Sequence, residues 1–292
     1  MKRFPPYSLL IRNLQTFLFG GKTDEDQKLF HPLLFPKLYS QTVPGFLVIA
    51  HRGASYYAPE NTMASFKMAY EMQADMIELD VLLTKDHVPV VMHYPELAMR
   101  STGKGQVHSI NYSELKKMDA GRWFSEEFRG EAIPTLEEVL EWATGKISLN
   151  IEIKPEAFTE KTKDSTEQQV VDLVHKYKME NHVLISSFEY KSIMRMKLLA
   201  PNIATGLLYD ISDDIQGSPV KLMNLTQADT FHINHRTINS KWLNQCKENN
   251  IPTLVYTVNN RRHMLNLIRN GVTGIFTDRP DVLRNTVLEQ LG

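Results

Sequence analysis

The chain has 292 residues, of which 42% are hydrophobic, so it is long enough to bury a substantial core in one large domain. Its 33 basic and 34 acidic residues give a net charge of −1, which argues against an electrostatic nucleic-acid-binding protein. A single cysteine, Cys246, excludes a disulfide or a thiolate metal cluster within these residues. One free thiol fits a reducing compartment, so we expect a cytoplasmic protein.

Residues 1–45 form an N-terminal extension that stands apart from the rest of the chain. Residues 7–20 are too short and too polar to span a bilayer, and they lack the unbroken apolar run of a secretory signal. Several apolar side chains there can share one helix face, namely Leu9, Leu10, Phe17 and Leu18. We expect a helix packed on the main domain. The alternative is an amphipathic anchor that makes peripheral contact with a membrane.

The first motif follows the apolar run of residues 46–50, which predicts a strand buried on both faces, as in parallel sheets. His51 and Arg52 end this strand, and residues 63–72 then show the periodicity of a helix. A titratable ring and a cation at the carboxyl end of a parallel strand stand where α/β proteins carry out chemistry. By itself, the pair would equally suit a structural loop.

The second strand, residues 74–80, also ends in charge. Glu78 and Asp80 are two positions apart, so their side chains point to the same side of a strand. Two such carboxylates repel each other unless a cation lies between them, and a divalent metal is the simplest candidate. A hairpin follows, and its returning arm brings His93 back towards the carboxylates.

The third strand, residues 148–154, alternates apolar and polar side chains. Asn150, Glu152 and Lys154 make up its polar side, which we expect to face the interior near the top of the fold. A surface strand with one solvated side would show the same alternation. In the first interpretation Glu152 is a third metal-binding carboxylate, and Lys154 contacts phosphate or screens charge.

The rest of the chain repeats a strand–helix rhythm, which predicts an α/β fold with a closed parallel barrel of the TIM (β/α)8 type. Five more strand-like runs bring the number to eight, and they are residues 182–186, 204–209, 230–234, 253–258 and 274–277. Helical patterns lie between most of them. His232 lies in the sixth strand, where we expect a packed or hydrogen-bonded side chain. Tyr256 near the end of the seventh suggests an aromatic wall beside a substrate.

Taken together, these motifs resemble the glycerophosphodiester phosphodiesterase family. The residues that carry the resemblance keep the family's order and span roughly residues 46–288: His51-Arg52-Gly53, Pro59-Glu60-Asn61-Thr62, Glu78-Leu79-Asp80, His93, Glu152-Ile153-Lys154, Tyr256-Thr257-Val258-Asn259 and Gly274-Ile275-Phe276-Thr277-Asp278-Arg279-Pro280. Two positions depart from the usual pattern, because the family commonly has Asp in place of Tyr94 and Trp in place of Tyr256. Neither departure removes a residue that we assign to catalysis.

The resemblance implies a barrel domain at residues 46–292, with a small insertion at residues 94–133 after the second barrel strand. It also implies metal-dependent hydrolysis of glycerophosphodiesters to an alcohol and glycerol 3-phosphate. The metal, Mg²⁺ or Ca²⁺, would be bound by Glu78, Asp80 and Glu152. His51 and His93 would be the acid–base pair. The residues expected to bind substrate or phosphate, directly or by orienting a neighbour, are Arg52, Glu60, Lys154 and Tyr256.

Two other functions stay open at this point. A lysophospholipase D-type or sphingomyelinase D-like enzyme on the same barrel would act on membrane lysolipids, which an amphipathic N-terminus would suit. A non-catalytic phosphate-binding barrel would keep the fold, but the retention of both histidines and three carboxylates speaks against it. The sequence leaves open the head group, the choice of metal, the nucleophile and the oligomeric state.

Overall fold

The computed structural model describes residues 34–161, 164–211 and 216–292. The amphipathic segment expected at residues 7–20 lies outside these ranges, and the domain division at residue 46 also stays a prediction. Within the described ranges, no helix combines the length and the apolar character needed to cross a membrane.

The described residues form nine strands, eight of which make a closed parallel barrel. The strands are β1 (Leu47–Ala50), β2 (Met76–Leu83), β3 (Pro89–Val91), β4 (Ser148–Ile153), β5 (Val183–Ser187), β6 (Ala204–Tyr209), β7 (Thr230–Asn234), β8 (Thr253–Tyr256) and β9 (Gly274–Thr277). Neighbours follow chain order except for β3, and β1 pairs in parallel with both β2 and β9. This pairing closes the sheet, so the predicted TIM barrel is confirmed.

Helices cover the outside of the barrel between its strands. They are α1 (Met63–Glu71), α2 (Tyr112–Leu115), α3 (Leu136–Ala143), α4 (Thr166–Lys176), α5 (Tyr190–Leu199), α6 (Pro219–Thr226), α7 (Ser240–Glu248), α8 (Arg261–Arg269) and α9 (Pro280–Leu291). Helix α6 was not predicted from the pattern. Its start nevertheless carries ordinary signals, because Ser218 caps it by accepting from the Lys221 amide and Pro219 occupies the first turn.

The amino end of the barrel is closed by apolar side chains. An interior cluster comes from the strands alone and comprises Leu47, Ile49, Met76, Leu184, Ala204, Leu254 and Phe276. Leu34 and Leu38 pack against it from the segment before β1. The Leu34 amide donates to Asp229 Oδ1 at 2.9 Å, just ahead of β7. The lead-in segment therefore plugs one end of the barrel, and the carboxyl ends of the strands stay free for a site.

Strand β3 is the returning arm of the predicted hairpin. It pairs antiparallel with the far half of β2, where Val81 lies opposite Val91. The Met92 amide donates to the Asp80 carbonyl at 3.0 Å, which places His93 directly beside the end of the barrel strand. Residues 94–133, the predicted insertion, contain α2 and three short 3₁₀ helices, and the chain rejoins the barrel at α3.

Candidate active site

The turn after β1 is a tight backbone structure with little freedom. Arg52 and Asn61 adopt the left-handed region with φ of 54° and 59°. At Gly53, φ is 83°, and a Cβ would lie 2.5 Å from Ser65 Oγ on α1, so the close packing of this loop on the helix requires glycine. The Arg52 amide donates to Glu78 Oε2 at 2.8 Å. The turn is thereby fixed to the neighbouring strand.

Three carboxylates meet at the ends of β2 and β4. Glu78, Asp80 and Glu152 are all buried, and each offers an oxygen within 4.8 Å of the others. Asp80 and Glu152 lie side by side because they are partners in the parallel register. Burial and the charges of the other two raise the pKa of Glu78 well above its ordinary value. Burial, aided by the charge of Asp80 and opposed by Lys154, raises the pKa of Glu152 to about 7.

The donor set fits a divalent cation. Asp80 Oδ1 has no hydrogen-bond partner among the described residues, although Lys154 Nζ lies 3.4 Å away. Burial favours a neutral Asp80, but Arg52 and Lys154 outweigh it and hold the pKa of this carboxyl well below its usual range. Three buried carboxylates that repel one another, one of them with an unpartnered oxygen, could bind a hard ion through oxygen alone.

Two cations flank this carboxylate cluster. Arg52 Nε lies 3.4 Å from Asp80 Oδ2, and Arg52 Nη1 donates to Glu60 Oε1 at 3.0 Å. Lys154 Nζ donates to Glu152 Oε1 at 2.8 Å. Burial acts against both charges, yet the carboxylates raise the pKa of Arg52 and of Lys154 above their ordinary values. Both side chains therefore stay positive and are available to an anionic group.

The two histidines line one cavity of about 210 Å³ together with Glu78 and Glu152. Its wall also includes apolar and aromatic side chains, namely Phe188, Leu208, Tyr256 and Phe276. His93 packs edge-on against Tyr94, with ring centroids 4.4 Å apart. Burial lowers the pKa of His93 to about 3, and nearby Arg52 and Lys154 act in the same direction, while Asp80 opposes it. The His93 ring is accordingly neutral at physiological pH.

Asp278 is a site residue to which the sequence analysis assigned no role. His51 Nδ1 lies 2.7 Å from Asp278 Oδ1, and Ser55 Oγ donates to the same oxygen at 3.1 Å. Asn259 Nδ2 donates to Asp278 Oδ2. Burial acts to raise the pKa of Asp278, but the hydrogen bonds and the charge of His51 lower it, so the carboxyl stays ionised. The sequence signal that could have identified Asp278 is its position as an acidic residue directly after the last barrel strand.

The structure gathers the predicted site residues at one end of the barrel. Seven of the nine line the cavity: His51, Arg52, Glu78, His93, Glu152, Lys154 and Tyr256. Asp80 and Glu60 contact Arg52 just behind it. The Tyr256 hydroxyl donates to the Tyr209 carbonyl at 2.8 Å, which fixes the ring. His232 lies elsewhere, fully buried and 2.8 Å from Thr230 Oγ1, as expected for a packed histidine.

Comparison with known proteins gives the family. Residues 51–282 match the model of the glycerophosphoryl diester phosphodiesterase family. The glycerophosphodiester phosphodiesterase of Caldanaerobacter subterraneus subsp. tengcongensis is 40% identical over 242 residues, which cover 82% of this chain and 97% of the relative. One from Bacillus subtilis is 33% identical over 251 residues, which cover 81% of this chain and 84% of the relative.

A solved structure shows the same architecture. The structure of an Oleispira antarctica phosphodiesterase in complex with the product sn-glycerol-3-phosphate superposes with a TM-score of 0.72 and 28% identity, over 84% of this chain and 97% of that chain. The resemblance inferred from the motifs is therefore confirmed. The chain belongs to the glycerophosphoryl diester phosphodiesterase family and is a phosphoric diester hydrolase.

Proposed function

We propose that this chain hydrolyses glycerophosphodiesters to an alcohol and sn-glycerol 3-phosphate, with one divalent cation and a pair of histidines. The observation that carries the proposal is the convergence of His51, His93, Glu78 and Glu152 on one cavity of about 210 Å³, with the third buried carboxylate, Asp80, grouped with Glu78 and Glu152 behind it. The complex of the Oleispira antarctica relative with sn-glycerol-3-phosphate supports the substrate class.

The cation would be Mg²⁺ or Ca²⁺, because its ligands would be the oxygens of Glu78, Asp80 and Glu152. When bound, such an ion polarises a phosphoryl oxygen and helps to orient the attacking group. The chain itself would bind the phosphate through Arg52 and Lys154, whose positive charges offset the negative charge that develops on the phosphoryl oxygens.

The histidines would divide the proton transfers between them. Asp278 Oδ1 lies 2.7 Å from His51 Nδ1 and orients the ring, so we assign to His51 the protonation of the leaving alkoxide. The neutral ring of His93 is suited to accepting a proton from the nucleophile. Tyr256 and Phe188, whose ring centroids are 5.9 Å apart, would form an apolar wall that excludes water.

Hydrolysis of lysolipids is a second candidate. Some large apolar side chains near this end of the fold are exposed. Met99 and Trp123 lie in the insertion and are 48% and 41% exposed, and Ile211, which follows β6, is 68% exposed. An acyl chain that leaves the cavity on this side would contact apolar side chains. We also propose a cytoplasmic location and peripheral membrane contact through residues 7–20.

The test is a substrate panel with metal removal. Wild-type protein would be assayed on glycerophosphocholine, glycerophosphoglycerol and lysophosphatidylcholine, in EDTA and after addition of Mg²⁺ or Ca²⁺. We expect release of glycerol 3-phosphate from the two glycerophosphodiesters, which stops in EDTA and returns with metal, whereas release of lysophosphatidic acid from lysophosphatidylcholine would support the second candidate. Asp80→Asn should abolish it, whereas Glu137→Gln, on the exposed face of α3, should not. Phosphate binding with no turnover of any substrate would instead support a non-catalytic barrel.

A further inference from the structure

Arg100 connects the insertion to the turn after β1 through a set of specific contacts. It follows the 3₁₀ helix Leu97–Met99, and its guanidinium lies between two rings, 4.8 Å from the centroid of Tyr94 and 4.4 Å from that of Trp123. Its Nε lies 3.1 Å from Glu60 Oε2. An arginine held by two aromatic faces and a carboxylate has little freedom to reorient.

The surroundings of these contacts are fixed as well. Leu97, three residues before Arg100, is fully buried, and its amide donates to the Gly105 carbonyl at 2.9 Å. Trp123 Nε1 donates to the Ala120 carbonyl at 2.7 Å, which sets the orientation of that ring. The Tyr94 ring contacts His93 with its centroid 4.4 Å away. The position of the Arg100 guanidinium is thus determined by the fold of the insertion.

Glu60 divides its carboxylate between two arginines. Arg100 lies at Oε2, whereas Arg52 Nη1 donates to Oε1 at 3.0 Å, and the Glu60 side chain is only 13% exposed. Arg52 Nε has no hydrogen-bond partner among the described residues. A carboxylate with Arg52 as its sole partner could take both oxygens into a bidentate pair and turn the guanidinium away from the cavity. The charge of Arg100 also offsets that of Glu60, so less of the charge of Arg52 is neutralised.

We propose that Arg100 is a positioning residue, which holds Glu60 so that Arg52 keeps its guanidinium directed at the substrate phosphate. The inference rests on the proposed function, because it takes a phosphate as the ligand of Arg52. Arg100 acts through Glu60 and Arg52, and the insertion thereby influences phosphate binding without contacting the phosphate.

The experiment is a double-mutant cycle of Arg100→Gln and Glu60→Gln, with Arg129→Gln as the matched control. Arg129 pairs with Glu126 at 2.9 Å on the exposed surface of the same insertion, and no hydrogen bond or ion pair of the described residues joins its side chain to the site. For each variant, kcat and KM on a glycerophosphodiester, the affinity for sn-glycerol 3-phosphate and the melting temperature would be measured. Arg100→Lys, which keeps the charge but not the planar donor set, provides a second variant.

We expect Arg100→Gln to raise KM and weaken product binding by roughly 10-fold, with a smaller change in kcat. The double variant should bind sn-glycerol 3-phosphate no more weakly than the weaker-binding single variant, because both residues act through Arg52. Arg100→Lys should recover part of the loss, and Arg129→Gln should match wild type. Melting temperatures should show that each variant is folded under the conditions of the assay.

Two results would overturn the inference. If the losses add across the cycle, Arg100 acts on the substrate independently of Glu60. If product affinity and KM stay at wild-type values in Arg100→Gln, the contact only supports the fold. A wild-type protein that binds sn-glycerol 3-phosphate but hydrolyses nothing would contradict the proposed function alone, and the cycle measured on product affinity would still decide the role of Arg100.

Discussion

His51 and Asp278 are 227 positions apart in the chain, yet Nδ1 of one lies 2.7 Å from Oδ1 of the other. They meet because closure of the barrel makes β1 and β9 neighbours, with Ala50 paired to Thr277. The residue that follows each strand then occupies the same corner of the barrel end. The carboxylate determines which ring nitrogen carries the hydrogen and leaves Nε2 facing the cavity.

Loss of the Asp278 charge should slow catalysis without unfolding the protein. Asp278→Asn keeps the shape but removes the charge that orients His51, so kcat should fall by roughly 10²–10⁴-fold. Asp281→Asn is the control. Asp281 lies three positions after Asp278, accepts a hydrogen bond from the Tyr57 hydroxyl and does not contact His51. Steady-state kinetics with a thermal melt separates the two effects. A near-normal kcat in Asp278→Asn would show that the pair is only structural.

The two histidines should respond differently to the leaving group. His51→Ala and His93→Ala should each lower kcat by roughly 10²–10⁴-fold on a substrate with a poor leaving group, and together they should be non-additive. A nitrophenyl-type leaving group needs no proton, so it should rescue the variant of the acid, which we assign to His51, and not that of the base. The division of roles is wrong if one such substrate rescues both variants equally.

The carboxylate cluster should make stability depend on metal. At about 100 times its Kd, Mg²⁺ or Ca²⁺ should stabilise wild-type protein by about 2.7 kcal/mol relative to EDTA. Glu78→Gln should lose this response while the metal-free protein stays at least as stable as wild type at neutral pH, since burial and repulsion raise the pKa of Glu78. Glu137→Gln should respond as wild type does. Thermal melts with and without EDTA make the measurement.

The same cluster should make metal binding depend on pH. Because the folded-state pKa of Glu152 is raised to about 7, metal-free protein should lose stability as the pH rises from about 4.5 through 7, where the buried carboxyl must ionise. The metal requires that ionised form, so its affinity should rise over the same interval. Calorimetric titrations at pH 5.5, 6.5 and 7.5 would show this, and an affinity that does not change with pH would contradict it.

Trp123 should affect the substrate more than the fold. Its ring is 41% exposed at the edge of the insertion and stacks on Arg100, so Trp123→Ala should cost less than about 2 kcal/mol of stability, whereas a fully buried Phe66→Ala should cost roughly 3–5 kcal/mol. In Trp123→Ala, the KM values over the substrate panel should change. A destabilisation as large as that of Phe66→Ala would mean that Trp123 is a core residue.

His232 should make the protein sensitive to acid. Burial lowers the pKa of His232 to about 3, so below pH 6.5 the unfolded chain takes up a proton that the folded chain does not. Stability should fall with decreasing pH by up to about 1.4 kcal/mol per pH unit for this one group. Urea unfolding at pH 8 and 5.5 should show a smaller fall for His232→Gln, while exposed His108→Gln should keep the wild-type slope. Identical slopes in all three proteins would refute the prediction.

The fold class and the grouping of the candidate site residues could be predicted from the residue pattern alone. The alternation of apolar strands with amphipathic helices predicted the barrel, since each pattern specifies which face of an element is buried. Charged residues at the ends of buried strands predicted the carboxylate cluster. Glu78 and Asp80 must share a side because the strand repeat is two, and the hairpin of β2 and β3 returns His93 to the same place. All of these inferences depend on neighbours that are close in the chain.

Which distant loops meet depends on how the barrel closes and could not be predicted from local patterns. The contact of Asp278 with His51 depends on closure between the first and last strands, and the contact of Arg100 with Glu60 depends on the path of an irregular insertion. Neither contact can be predicted from the two-residue repeat of a strand or the 3.6-residue repeat of a helix. Such contacts form because the barrel brings the carboxyl ends of its strands to one edge, where side chains from remote segments share a small volume.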